Sequence, residues 1–325
     1  MMRRERFWVE TPDGWRLELQ RYGDTQDRIP GRRPVLFIPG YGMNSFILGY
    51  HPGGHSMISY LVGRGFEVWS ANLRGQGNTK PPRVQSRAIG FRDLALVDVL
   101  AARDFVLSRS GLGADRLDVV GCSLGASILY ATLAHHPIDH GFGAMIAIGG
   151  PLRWVKVHPL IQLAFKSPEL AGAIPFAGTR KIARAALSLV RGCPSLLSLY
   201  MNAERIDLSH ASELVKTVDD PIPSLNRQIA HWIRERDLIV DRRNVTRSMS
   251  EVHGLPLLCV LANRDGVVPP EAALSVLDHI GSRDTEVLIA GDHQDWYAHA
   301  DLFIAKDAEQ RVFIPMTDWL EKKNA

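Results

Sequence analysis

The segment Leu117-Asp118-Val119-Val120-Gly121-Cys122-Ser123-Leu124-Gly125-Ala126 constrains the fold more than any other stretch of the chain. It reads as a short apolar strand, a one-residue corner and a helix beginning at Leu124. Inside it lies Gly121-x-Ser123-x-Gly125, the pattern of a nucleophile elbow. A serine held at so tight a strand-to-helix turn takes strained backbone angles, and its neighbours must approach closely. A β-carbon at position 121 or 125 would clash there, and glycine relieves the crowding. The turn lifts the Ser123 hydroxyl above the sheet. It also leaves the Leu124 N–H free at a helix N-terminus, aimed where an oxyanion would form. A glycine-flanked serine in an ordinary turn would show the same letters, but the strand before it and the helix after it favour the elbow.

The rest of the chain supplies a sheet around that strand. Arg6–Glu10 and Trp15–Arg21 alternate in polarity and are joined by Thr11-Pro12-Asp13-Gly14, which predicts a β-hairpin. Pro34–Ile38 is an unbroken apolar run suited to a strand buried on both faces, closed by Pro39-Gly40-Tyr41-Gly42. A helix near Ser56–Val62, a strand at Phe66–Ser70 and a helix over Asp93–Ser108 precede the elbow, and Ala144–Ile148 is the next strand. Alternation stops at Gly149-Gly150-Pro151. From Leu152 to Ser250 the pattern is helical and turn-rich, with helices expected at Thr179–Arg191 and Pro223–Arg236. Strands resume at Pro256–Leu261 and Thr285–Ile289, and a helix over Ala308–Lys322 closes the chain. Strands alternating with helices predict an α/β fold with a mostly parallel sheet covered on both faces. The expected organisation is a core in two parts, 1–151 and 251–325, with residues 152–250 as a helical cap inserted after the sixth strand. Such a cap would sit over the sheet edge where these folds bind ligands.

Composition narrows the function classes. Lysine and arginine total 38 against 35 acidic residues, and a net charge of +3 is too balanced to imply a nucleic-acid partner. Cys122, Cys193 and Cys259 are odd in number and widely scattered, so neither a disulfide framework nor a zinc site is expected, and a reduced, cytoplasmic setting fits. The basic start Met1–Arg6 runs into a strand pattern without an apolar h-region, so no signal peptide is expected, and no apolar run approaches a membrane span. His51 and His55 are four apart, but Pro52, Gly53 and Gly54 between them preclude a helical metal pair. Arg180, Lys181, Arg184 and Arg191, interleaved with Ile182, Leu187 and Val190, read as a solvated face over a packed one rather than a membrane-surface helix.

A serine hydroxyl is a weak nucleophile, so Ser123 needs a base, and the base needs a carboxylate to orient it. In a strand-elbow-helix arrangement of this kind the acid and then the histidine follow the serine in sequence. Asp265 lies in the loop just beyond strand 256–261, the place for the acid, although it could merely cap the helix starting at Pro270. The loop after strand 285–289 holds two histidines, His293 and His299, either within reach of the elbow. Strand 34–38 exits through Gly40-Tyr41, which offers the Tyr41 N–H as a second oxyanion donor beside that of Leu124.

The sequence resembles an α/β-hydrolase, and its details are similar to the acid-lipase and polyhydroxyalkanoate-synthase-like branches. The resemblance is carried by Thr11-Pro12-Asp13-Gly14-Trp15-Arg16-Leu17, by Gly65–Gly75 and by Tyr297-Ala298-His299-Ala300-Asp301-Leu302-Phe303. It implies Ser123 as nucleophile, Asp265 as acid and His299 as base. It departs from the family at Pro39, where a histidine often precedes the oxyanion glycine, and from the synthases at Ser123, where they carry cysteine. What it implies is a metal-free and cofactor-free serine esterase or lipase with an acyl-enzyme intermediate, acting on a small-molecule or lipid-like ester. Acyl transfer to an alcohol or thiol, a polyester-related hydrolase and a catalytically silent binding protein of the same fold are the alternatives.

Overall fold

The computed structural model describes residues 2–83, 88–111, 113–173, 198–207, 209 and 211–324. Its centre is an eight-stranded sheet in the order β1-β2-β4-β3-β5-β6-β9-β10. The strands are β1 (Arg4–Glu10), β2 (Arg16–Tyr22), β3 (Val35–Ile38), β4 (Val68–Asn72), β5 (Leu117–Cys122) and β6 (Phe142–Ile148), then β9 (Leu257–Ala262) and β10 (Thr285–Ala290). A separate two-residue pair, β7 (Ile239–Val240) and β8 (Arg243–Asn244), lies between β6 and β9 in the chain. β2 pairs antiparallel with both β1 and β4, and every other pairing in the large sheet is parallel.

The central strands are mostly apolar because both of their faces are covered. Leu36, Ile38, Val119, Met145 and Leu257 pack on one side with helix α2 (Val99–Arg109) and helix α3 (Leu124–His135). Phe37, Val120, Cys122, Ile146 and Val260 face the other, toward α1 (Met57–Gly63) and the C-terminal helix Ile314–Lys323. This period-two division sends Cys122 into the second layer, away from α3.

Register brings the strand ends together. Ile38 pairs with Gly121, Cys122 with Ile148, Ile148 with Val260, and Ala262 with Ala290. The loops after β3, β5, β6, β9 and β10 therefore emerge along one edge of the sheet. The opposite end is tied by charge. Arg33 Nε donates to Asp118 Oδ1 at 2.7 Å, and Asn324 Nδ2 donates to Asp118 Oδ2 at 2.7 Å, joining β5 to the end of the last helix.

Strand β4 lies two residues later than the expected Phe66–Ser70. Ala71 and Asn72 look like the start of a loop, yet both are buried. Asn72 is tolerated because its Oδ1 accepts the Ser45 N–H and its Nδ2 donates to Glu18.

Within 152–250, helix α4 (Pro223–Glu235) buries Leu225, Ile229, Trp232 and Ile233, a helical stripe that begins at a proline-capped first turn. Trp232 stacks edge-on against Phe91 and Trp154. The segment before α4 is stitched to the loop after β3: Asn44 N–H donates to Thr217 O at 2.9 Å and Asp219 N–H to Gly42 O at 2.8 Å. Val245 and Met249, at the end of this block, are fully buried in the layer that contains α3. The helix expected at Thr179–Arg191, with Arg180, Lys181, Arg184, Arg191 and Cys193, lies outside the described residues.

Candidate active site

Ser123 sits at the corner between β5 and α3 with φ 52° and ψ −122°, a left-handed conformation that L-residues rarely adopt. The glycines around it are set by contact distance. A β-carbon at Gly121 would fall 2.5 Å from Ala126 Cα, and one at Gly125 would fall 2.2 Å from the Ile38 carbonyl oxygen. Ser123 N–H donates to Ile148 O at 2.7 Å, which anchors the corner to β6. Two further glycines press on it from the neighbouring loops: a β-carbon at Gly40 would lie 2.9 Å from Ser123 Cβ, and one at Gly150 would lie 2.8 Å from Ser123 O.

Asp265, in the loop after β9, divides its two oxygens between two tasks. Oδ1 accepts the N–H groups of Val267 and Val268, both at 2.8 Å. Oδ2 accepts from His299 Nδ1 at 2.5 Å. The capping role and the histidine contact thus coexist on one carboxylate. That arrangement leaves the imidazole Nε2 as the atom available on the far side of the ring. Both side chains are buried. The pair lies against Gly149, where a β-carbon would come within 3.0 Å of His299 Cε1. Gly149 and Gly150 thus form a thin strip with the Asp265–His299 pair beside one residue and Ser123 beside the next.

His299 owes its position to its loop. Asp301 accepts the Ala298 N–H at 2.7 Å and the Asn202 N–H at 3.0 Å, so one carboxylate pins the histidine loop to the 198–202 segment. Burial pushes the Asp301 carboxyl up to about 7, opposed by these N–H donors and by Arg205, with nearby Asp265 adding to the rise. Tyr200 lies 6.1 Å from the His299 ring, centroid to centroid; burial, then Asp265 and Asp301, push its phenol up to about 12. His293 is exposed, in a loop closed by Asp292, whose Oδ1 accepts the N–H groups of Gln294 and Asp295. Of the two candidate histidines, His299 meets Asp265.

Tyr41 and Leu124 start the two segments that flank Ser123, and neither of their N–H groups has a protein acceptor among the described residues. The Tyr41 hydroxyl donates to Asn226 Oδ1 on α4, and burial raises its phenol pKa. A cavity of about 20 Å³ opens here, lined by Tyr41, Leu124 and Ile128 and, from the segment before and within α4, by Ile222 and Leu225. Cys122 is fully buried with its thiol pKa raised by burial, and burial pushes Cys259 up to about 12. His51 and His55 face different partners, the Ala305 carbonyl and Glu309.

A doubly wound α/β protein with a strained serine at a strand-to-helix corner and a carboxylate-imidazole pair on the same sheet edge is thereby defined. The chain belongs to the alpha/beta hydrolase fold family, whose family model matches residues 33–296. A search of curated proteins returns no match. Among solved structures, a thermophilic esterase from Thermogutta terrifontis is similar with a TM-score of 0.60 at 15% identity, over 99% of this chain and 100% of that one. A structure from work on carboxylesterases of the thaumarchaeon Nitrososphaera gargenis gives 0.61 at 17% identity, over 98% of each chain. The Pyrococcus furiosus esterase Pf2001 gives 0.58 at 13% identity, over 100% and 94%. At such identities the likeness is one of fold. No helix among the described residues is long and apolar enough to cross a membrane.

Proposed function

We propose that the protein is a serine carboxylic-ester hydrolase in which Ser123, His299 and Asp265 act as a triad. The observation that carries this reading is the 2.5 Å contact between Asp265 Oδ2 and His299 Nδ1, on the sheet edge where the register also brings out the strained Ser123. Asp265 holds the imidazole with its Nδ1 protonated, so Nε2 is the basic atom. Nε2 takes the Ser123 proton as Oγ bonds to the ester carbonyl carbon. The electron pair moves to the carbonyl oxygen, and the Tyr41 and Leu124 N–H groups receive it. Collapse of that tetrahedral species breaks the bond to the alcohol, which leaves with the proton from His299. Water then attacks the acyl-enzyme, gives its proton to His299 and releases the acid as Ser123 recovers its hydrogen. No metal or cofactor enters these steps.

Residues 152–250 serve in this reading as a cap over the core formed by 1–151 and 251–325. Ile222 and Leu225 beside Leu124 support this reading, in which the block takes part in choosing the acyl group. The buried, unpaired thiols of Cys122 and Cys259 support a reducing, cytoplasmic setting. A fluorophosphonate probe tests the mechanism: labelling at Ser123, with p-nitrophenyl ester turnover that disappears in Ser123→Ala, is the expected result. A protein that neither labels nor turns over would be a silent member of the fold. Ester products formed with an added alcohol in place of free acid would make it an acyltransferase.

A further inference from the structure

The Tyr41 N–H is useful as an oxyanion donor only if the peptide joining Gly40 to Tyr41 faces the right way. A peptide is planar, and in the trans form its C=O and N–H point in opposite directions. Fixing the Gly40 carbonyl therefore fixes the Tyr41 N–H. Gly40 is free of steric help in this respect, because it has no side chain and a β-carbon there would lie 2.9 Å from Ser123 Cβ. The group that holds its carbonyl comes from another loop. Gln76, after β4, donates from Nε2 to Gly40 O at 2.9 Å.

Gln76 is itself held at its other end. Its Oε1 accepts the Leu73 N–H at 2.9 Å, and its own N–H donates to Leu73 O at 2.9 Å. Because Oε1 is occupied by a donor, the amide group cannot rotate without losing that bond, so Nε2 is the end that faces Gly40. A rigid loop thus presents a hydrogen-bond donor to the far side of the peptide whose near side borders Ser123. With that donor gone, a turned-over peptide would direct the Gly40 carbonyl, a negative dipole, at the developing oxyanion.

We infer that Gln76 is a positioning residue for acyl-group chemistry at Ser123, setting the orientation of the Gly40–Tyr41 peptide and so the direction of the Tyr41 N–H. This rests on the serine-hydrolase reading and goes beyond it by assigning the oxyanion donor a fixed support. The same contact would serve only to hold its own loop if the Tyr41 N–H played no part in the reaction, and that difference can be measured.

The test uses Gln76→Glu and Gln76→Met in the full chain. Glutamate keeps the acceptor for Leu73 and replaces the donor by an oxygen facing the Gly40 carbonyl, whereas methionine keeps the length and loses both ends. Three quantities are read for each: KM and kcat for p-nitrophenyl butyrate, the inhibition constant of trifluoromethyl propyl ketone, and the melting temperature. That ketone adds Ser123 Oγ to its carbonyl carbon, passes the serine proton to His299 and leaves an oxyanion, so its affinity reports the oxyanion site. The expected result is a loss of about 10- to 100-fold in kcat with a parallel weakening of the ketone, the larger loss in Gln76→Glu. KM should stay within about twofold, since ground-state binding does not use this donor. Folded variants with unchanged kcat and ketone affinity overturn the assignment, as does a loss that falls on KM alone. If both variants fail to fold, Gln76 is a structural residue and the assignment is equally wrong. The underlying reading fails separately, through an unlabelled Ser123 in the unsubstituted protein.

Discussion

At the N-terminal end of the parallel strands, charged groups are bound to each other; at the C-terminal end, buried polar groups are held in place with hydrogen-bonding atoms left over. Asp118 at the first end has both oxygens engaged, by Arg33 and by Asn324. Asp265 at the second also uses both oxygens, but one of them serves a histidine whose outer nitrogen faces away. The first arrangement has nothing left to give a substrate. The second stores unmet hydrogen-bonding capacity and a left-handed serine, which cost stability. One end secures the fold and the other is where the proposed chemistry would take place, so substitutions at the two ends should separate activity from stability.

The largest separation is expected at Ser123 and His299. Ser123→Ala and His299→Ala should each lower kcat by about 10³-fold or more; Ser123→Ala should leave the melting temperature at or above its original value, and His299→Ala should leave the protein folded. Cys122→Ala should keep most of the turnover, because that thiol faces the opposite layer. A fatal cysteine change with a mild serine change would reverse the reading of the corner.

At the other end the effects should appear in stability alone. His140, just before β6, accepts the Phe142 N–H on Nδ1 at 2.9 Å, so protonating that nitrogen breaks the contact. Burial, then Arg116 and Arg103, lowers its pKa from 6.5 to about 4. A histidine pKa depressed by folding favours the neutral ring. Its contribution is whole above the unfolded pKa and is lost as pH falls from 6.5 toward about 4. That span corresponds to about 3 kcal/mol. Denaturant titrations across these pH values should show His140→Gln losing correspondingly less stability on acidification. Equal acid sensitivity in both proteins would show that the ring does not titrate with folding.

Arg33→Met should cost about 2 kcal/mol, because it removes the one cation on the buried Asp118 carboxylate and leaves it to Asn324 and the Ala144 N–H. Its kcat/KM should be unchanged within about twofold. A large catalytic loss there would mean that the two ends are mechanically coupled.

The smallest expected effects sharpen the boundary of the active end. Ile222→Ala should shift acyl-chain preference by about tenfold across a p-nitrophenyl ester series, with less effect on stability than a change at Trp232, which packs between Phe91 and Trp154. His293→Ala should cost less than about tenfold in kcat. Equal losses at His293 and His299 would give the base a shared role.

Much of this division was legible in the sequence. The apolar runs that become β3, β5, β6 and β9 are local signals; Ser123 directly follows β5, Asp265 lies in the loop just after β9, and His299 lies in the longer loop after β10. The glycine pattern around Ser123 is visible in the local sequence too, although only Gly121 relieves crowding with the next turn of the same chain, Gly125 relieving contact with Ile38 on β3. Gln76, Asp219 and Asn226 gave no signal. Each acts through hydrogen bonds to residues far away in sequence, and a polar residue in a loop or on a helix looks the same whether or not such partners exist. Strand β4 slipped for a related reason: Asn72 reads as the end of a strand until Ser45 and Glu18 supply its partners.

The left-handed backbone at Ser123 has a consequence for how this chain can be improved. Glycine alone adopts φ 52°, ψ −122° without penalty, and relief of such a conformation is worth about 1 to 3 kcal/mol. Ser123→Gly would therefore be among the more stabilising single changes open to the protein, and it would remove the hydroxyl altogether. A selection for thermal tolerance that never measures turnover is drawn toward that substitution. Any library screened for robustness needs position 123 held as serine.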